Sequence, residues 1–177
     1  MKTRGQMLVV IALLLMVLLM LLAVAVDGGR LMIERTRLRR GAQAAADAGI
    51  GVVAEQMVVQ AAARQTQAAL LPTCAPAGPC TPTPAINDVP GWLTDDDRAT
   101  LVAPPMQTQV AAEARDYAQR NEFPQAEVSY PEGYDPGAPV VRILVTLRCR
   151  ATILLAGLLG EEWVDLAEQG LSQVPQR

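Results

Sequence analysis

27-DGGRLMIERTRLRRGAQAAADAGIG-51 starts where a long apolar run stops, passes through five arginines and ends almost wholly in small residues. Whether it is one helix or a break between two decides the fold.

Upstream, residues 7–26 hold no polar side chain: eight Leu, five Val and one Ile, the rest Met and Ala. A helix rises about 1.5 Å per residue, so twenty residues match the roughly 30 Å hydrocarbon core of a bilayer. On an insertion scale the Leu, Val and Ile favour the bilayer by roughly 4 to 8 kcal/mol together. The run is therefore expected to be a membrane-spanning helix. A cleaved secretory signal is the competing reading, with Lys2 and Arg4 as its basic start and Ala23-Val24-Ala25 as its cleavage site. The run exceeds the usual apolar core of such signals, and nothing before the site breaks a helix.

Downstream, the helical pattern continues to Leu71. Leu31, Leu38, Ala42, Ala45, Gly49, Val52, Val59, Ala63 and Leu70 form one stripe, broken at Arg35, Gln56 and Thr66. Ala42, Ala45 and Gly49 suit helix packing, because small side chains let another backbone approach closely. A helix–turn–helix broken at Gly28-Gly29 or Gly41 is the alternative.

The charge is uneven. Residues 1–40 carry seven Lys/Arg against two Asp/Glu, and residues 41–177 carry eight against sixteen, so +5 and −8 give the net −3. A basic end beside an apolar run suits membrane lipid, and the acidic remainder argues against nucleic acid. Aromatics are only 3% of the chain and there is no histidine. That removes the commonest general base and most zinc sites, so no catalytic residue, no cofactor and no metal site is expected, and the chain reads as a non-enzyme.

Orientation has two opposed signals. Two basic residues (Lys2, Arg4) precede the run and five (Arg30, Arg35, Arg37, Arg39, Arg40) follow it, which on the positive-inside rule puts the C-terminal side in the cytoplasm. Against this stands 74-CAPAGPC-80. A Cys74–Cys80 disulfide closing that loop would stabilise the fold by roughly 2.4 kcal/mol and persists only in an oxidising compartment. Two unrelated thiols are the alternative.

The remaining sequence divides in two. Residues 72–91 are Pro-rich and aperiodic, a linker loop, while 92–177 read as a small α+β domain. Thr94 caps a helix whose first turn, Asp95-Asp96-Asp97, matches the positive end of the helix dipole. Residues 104–121 form an amphipathic helix with Met106, Val110, Ala114, Tyr117 and Ala118 on one face. Strands follow at 126–130 and 140–153, the second alternating Val141, Ile143, Val145, Leu147, Cys149 and Ala151 inward with Arg142, Arg148 and Arg150 outward. The tail, 162–174, fits a strand or a helix equally.

Arg4-Gly5-Gln6, the apolar run, Asp27-Gly28-Gly29-Arg30, Arg35, Leu38 and 44-AAADAG-49 resemble the N-terminal segment of the TadE/TadG-like proteins of tight-adherence (Flp) pilus systems. Asp27, Gly29, Arg30 and Arg35 are the residues of its membrane-exit motif. More loosely, 113-EARDYAQRN-121, the following strands and 158-LLG-160 are similar to the C-terminal order of that family. The resemblance implies a pseudopilin-like membrane helix followed by an extracytoplasmic domain with helices packed on an antiparallel sheet. It implies a single-pass protein of the bacterial inner membrane, a structural component of pilus assembly or secretion. Its partners would be other pseudopilins or pilins and inner-membrane assembly proteins, or a second copy of itself. A filament subunit or secreted structural protein released from the membrane is the alternative. Pilins and TadE-type pseudopilins are cut after glycine and carry glutamate five residues beyond; here that position is Val10. The chain therefore resembles the uncut TadG type more closely.

Overall fold

The computed structural model describes residues 3–70, 85, 87–130, 141–153 and 163–174. Their order is helix α1 (Thr3–Leu70), a 3-10 turn (Pro90–Trp92), helices α2 (Asp95–Leu101) and α3 (Pro104–Arg120), then strands β1 (Ala126–Ser129), β2 (Val141–Thr152) and β3 (Trp163–Val174). The class is α+β, as the sequence predicts, with a long apolar-headed helix ahead of a small domain.

α1 is one helix of 68 residues. Its sequence is rich in Leu, Ala, Met, Gln and Arg, all strong helix formers, and its first proline comes only at position 72. Each glycine costs a helix about 1 kcal/mol, too little to interrupt a rod this long. The chain accordingly runs straight through Gly28-Gly29 and Gly41, and the helix–turn–helix alternative fails.

The chain divides into two compact units. One joins Met1–Leu38 with Arg148–Ala167, and the other joins Arg39–Leu147 with Glu168–Arg177. In the second, α1 buries Leu38's successors Ala42, Ala45, Ala46, Gly49, Val53, Met57 and Ala61. Of the expected stripe, Leu38, Ala42, Ala45 and Gly49 are buried and Leu31 is half-buried. Val52 is half-buried, and Val59 and Ala63 are exposed. The buried positions step mostly by four, following the i+4 row, which is inclined to the helix axis. Elements packed at an angle cover such a row; a strict heptad belongs to near-parallel supercoils.

α2 begins as the sequence predicts. Thr94 Oγ1 accepts from the Asp97 N–H at 3.2 Å, and the Thr94 N–H donates to Asp97 Oδ2 at 2.9 Å, a reciprocal capping box. α3 buries Val110, Ala114 and Ala118, with Met106 and Tyr117 half-buried beside them. It ends in a Schellman turn: the Phe123 N–H donates to Ala118 O at 2.9 Å and the Glu122 N–H to Gln119 O at 3.1 Å. Glu122 takes the left-handed conformation there, with φ 69°. The turn drops Phe123 onto Gly41 of α1, where a Cβ would collide with the ring.

The sheet has the order β1-β2-β3. β1 pairs antiparallel with β2, Ala126 opposite Leu147 and Ser129 opposite Leu144. Val141, Ile143, Val145 and Leu147 are fully or almost fully buried. Cys149, expected on that buried face, is only half-buried, and the sulfur is a free thiol. The ambiguous tail is strand β3. Its half-buried or buried positions are Leu166, Glu168, Gly170, Ser172 and Val174, a period of two that hydrophobicity alone does not reveal.

Candidate functional site

In the first unit the apolar run stands bare. From Met7 to Val26 its large side chains are 44% exposed or more, and α1 is long and apolar enough to cross a membrane. The motif expected to mark the membrane exit follows at once. Asp27 is buried, while Gly28 and Gly29 face open space and Arg30 and Arg35 are exposed. The ends of β2 and β3 belong to this same unit. Cys149 lies in the field of Glu34 and Arg37; burial chiefly raises its pKa, Glu34 adds to the rise and Arg37 opposes it. A raised pKa leaves less of the reactive thiolate at neutral pH. Arg150 donates to Asp165 at 3.3 Å and stacks 5.6 Å from the centre of the Trp163 ring.

In the second unit the three residues expected to serve helix packing are all buried, and the structure shows against what. A Cβ at Gly49 would stand 3.2 Å from Val110 Cγ1 and 3.4 Å from Ala114 Cβ, so the helix lying on Gly49 is the chain's own α3. At Ala42 the neighbour is β3. A Cβ at Gly170 would overlap the backbone of Ala42 and Gln43, and Gln43 Nε2 donates to Leu171 O at 2.9 Å. Neither Gly170 nor its crossing of α1 is readable beforehand, because a glycine in an ambiguous tail carries no signal of what it touches.

A second anchor fastens α2 to α1. Arg64 donates from Nε to Asp97 Oδ2 at 3.0 Å and from Nη2 to Asp97 Oδ1 at 2.9 Å. Gln60 Nε2 reaches Thr100 Oγ1 at 3.1 Å, one turn away. The hydrogen bonds from Arg64 hold the Asp97 carboxyl well below the usual carboxylate range; burial opposes this, and Thr94 adds to it through its N–H and hydroxyl. The Arg64 pKa rises through the same hydrogen bond. Tyr130 is also shifted upward, by burial, with its hydroxyl 3.5 Å from Gln107 O. The Asp95-Asp96-Asp97 run is thus a helix start with one member committed to an ion pair.

Among the described residues no group of three or more His, Cys, Asp or Glu is placed to hold a metal ion. Cys74 and Cys80 lie outside the described residues, as does the apolar stretch 154–160.

The framework is a helix-led α+β protein whose first element is apolar and uncovered at one end and small-faced where its own domain grips it. Residues 5–70 match the model of the Flp pilus-assembly, TadE/G-like family. That segment, α1 from Gly5 to its end, is similar to the TadE/TadG-like pilus-assembly proteins. No curated protein and no solved structure matches the chain.

Proposed function

We propose that the chain is a membrane-anchored structural component, minor pilin-like or pseudopilin-like, of an Flp-type pilus assembly or secretion apparatus, and that it works through protein contacts rather than catalysis. The observation that carries this is the single helix matched by the family: its apolar run is uncovered, and the same helix continues into the packed face of the domain. Because α3 and β3 of this chain already cover Ala42 and Gly49, contacts with other pseudopilins use the bare run inside the bilayer, where close packing drives helix association. The domain lies on the extracytoplasmic side of the bacterial inner membrane and meets its partners there.

Deleting the gene is expected to abolish piliation and surface adhesion, and a copy lacking residues 7–26 is expected not to restore them. A deletion strain that keeps both overturns the reading. Fractionation separates it from a released filament subunit: an assembly component stays with the inner membrane, whereas a subunit appears in sheared surface material.

A further inference from the structure

We propose that α1 carries a self-matching face beyond the apolar run, on which a second copy of this chain docks side by side, Val58 meeting its own counterpart. The inference rests on the anchoring proposed above, and it adds a contact outside the bilayer to the one within it.

Residues 49–63 of α1 hold one charged side chain, Glu55. A helix that is hydrophobic all round is a helix buried all round. Here the chain's own domain covers one side. Gly49, Val53, Met57 and Ala61 are buried, while Val58 and Val59 are 55% and 57% exposed and Ala54 and Ala62 are exposed with them. At about 100° per residue, Gly51, Ala54, Val58 and Ala62 fall within a sector of roughly 80°, and Ala69 returns to its middle. A Cβ at Gly51 would meet nothing within 4 Å. The face is therefore small at both ends, with Val58 at its centre.

Height and charge name the occupant. Each α1 is one helix from the apolar run to its last turn, so two copies anchored in one bilayer hold this face at the same level. A symmetric parallel pair then sets each residue against its twin, and like charges brought together in that way repel. Between Gly51 and Ala69 the sector holds no charge. Glu55 lies about 60° to one side of Val58, and Arg64 is turned to the domain, where Asp97 takes it. Asp47 and Arg40 stand in line before Gly51 and mark where the contact ends, since twin carboxylates there oppose closure. Any other partner would need an uncharged helix held parallel at this height, which a second copy brings by construction.

The test is oxidative cross-linking of the full chain in its native membrane, one cysteine introduced at a time, with the unmodified chain and its three cysteines as the baseline. Helix axes 8 to 10 Å apart bring facing Cα atoms to roughly 3 to 6 Å, inside the limit of about 7 Å for a disulfide. A position 140° round the helix stands at about 12 Å or more. Val58→Cys and Ala62→Cys are therefore each expected to give about tenfold more linked dimer than Ala63→Cys, although Ala63 is exposed too. Two facing positions guard against a folding fault at either. Equal linking at all three, or a linked species of any mass other than twice the chain, overturns the self-contact. Carbonate extraction reads the anchor separately. Chain that stays in the membrane without linking at Val58 or Ala62 overturns this face alone, and chain that is extracted overturns the anchor itself.

Discussion

Arg64 of α1 and Asp97 of α2 meet in a two-pronged contact, each carboxylate oxygen taking one guanidinium N–H at 2.9 to 3.0 Å. The same carboxylate closes the capping box on Thr94. One side chain therefore both starts α2 and fastens it to α1.

Removing the cap is expected to loosen that corner. Thr94→Ala deletes the oxygen that accepts the Asp97 N–H and should lower stability by about 1 kcal/mol, read from thermal unfolding in detergent. Asp97→Asn should cost more than Thr94→Ala, because it breaks the ion pair and leaves Arg64 without its carboxylate.

The acid limb of stability should report Asp97. Its pKa is depressed in the folded chain, so the unfolded chain binds the proton more readily, and the stabilisation is present above the ordinary aspartate value of about 4. It is lost as pH falls through the folded value, which lies below the usual carboxylate range. The unmodified protein should lose stability progressively as pH falls below about 4, and Asp97→Asn should show a flatter curve over that window. Equal slopes for the two would count against the assignment.

Two glycine-to-alanine changes should act in opposite directions. At Gly170 the added methyl meets the α1 backbone at Ala42, and the strand must shift, an overpacking cost of about 1 to 3 kcal/mol. At Gly51 nothing lies within 4 Å, and the same change should stabilise the helix by about 0.5 to 1 kcal/mol. Limited proteolysis should find β3 more susceptible in Gly170→Ala alone.

The N-terminus is expected to stay uncut. Valine at position 10 cannot pair with the amino terminus that cleavage after Gly5 would create, as a buried glutamate can. Intact-mass measurement should find residues 1–5 still attached, apart from removal of the initiating Met; a mature chain beginning at Gln6 refutes this.

Topology and the cysteine pair can be read in one membrane preparation. A periplasmic reporter fused after Arg177 should be active, despite the five arginines that follow the apolar run. Cys74 and Cys80 should resist alkylation until a reductant is added. A silent reporter with both thiols already reactive places the domain in the cytoplasm.

Much of this architecture was legible because local chemistry and packing agree. Nothing apolar or polar competes with a helix over residues 7–26, Thr94 and Asp97 stand at capping-box spacing, and β2 alternates cleanly from Val141 to Leu147. Legibility ends where the sequence offers two equal faces. Val52-Val53 and Val58-Val59 are doublets, so hydrophobicity cannot choose between a heptad and an i+4 row, whereas burial favours Val53, Met57 and Ala61. β3 fails for another reason. Its inward positions include Glu168, Gly170 and Ser172, none of them oily, and at Gly170 the strand comes so close to α1 that no side chain fits. The Arg64–Asp97 pair joins positions 33 apart, and no pattern within either helix points to the other.

The crossing at Gly170 also fixes an order of events during synthesis. Gln43 and Leu171 are 128 positions apart, so a ribosome making about 5 to 20 residues per second finishes the helix many seconds before it makes the strand that lies on it. Throughout that interval Ala42 and its neighbours are an unclaimed surface on a chain whose apolar run has already emerged. The newborn helix must be kept from pairing with whatever else is close by until its own last strand arrives.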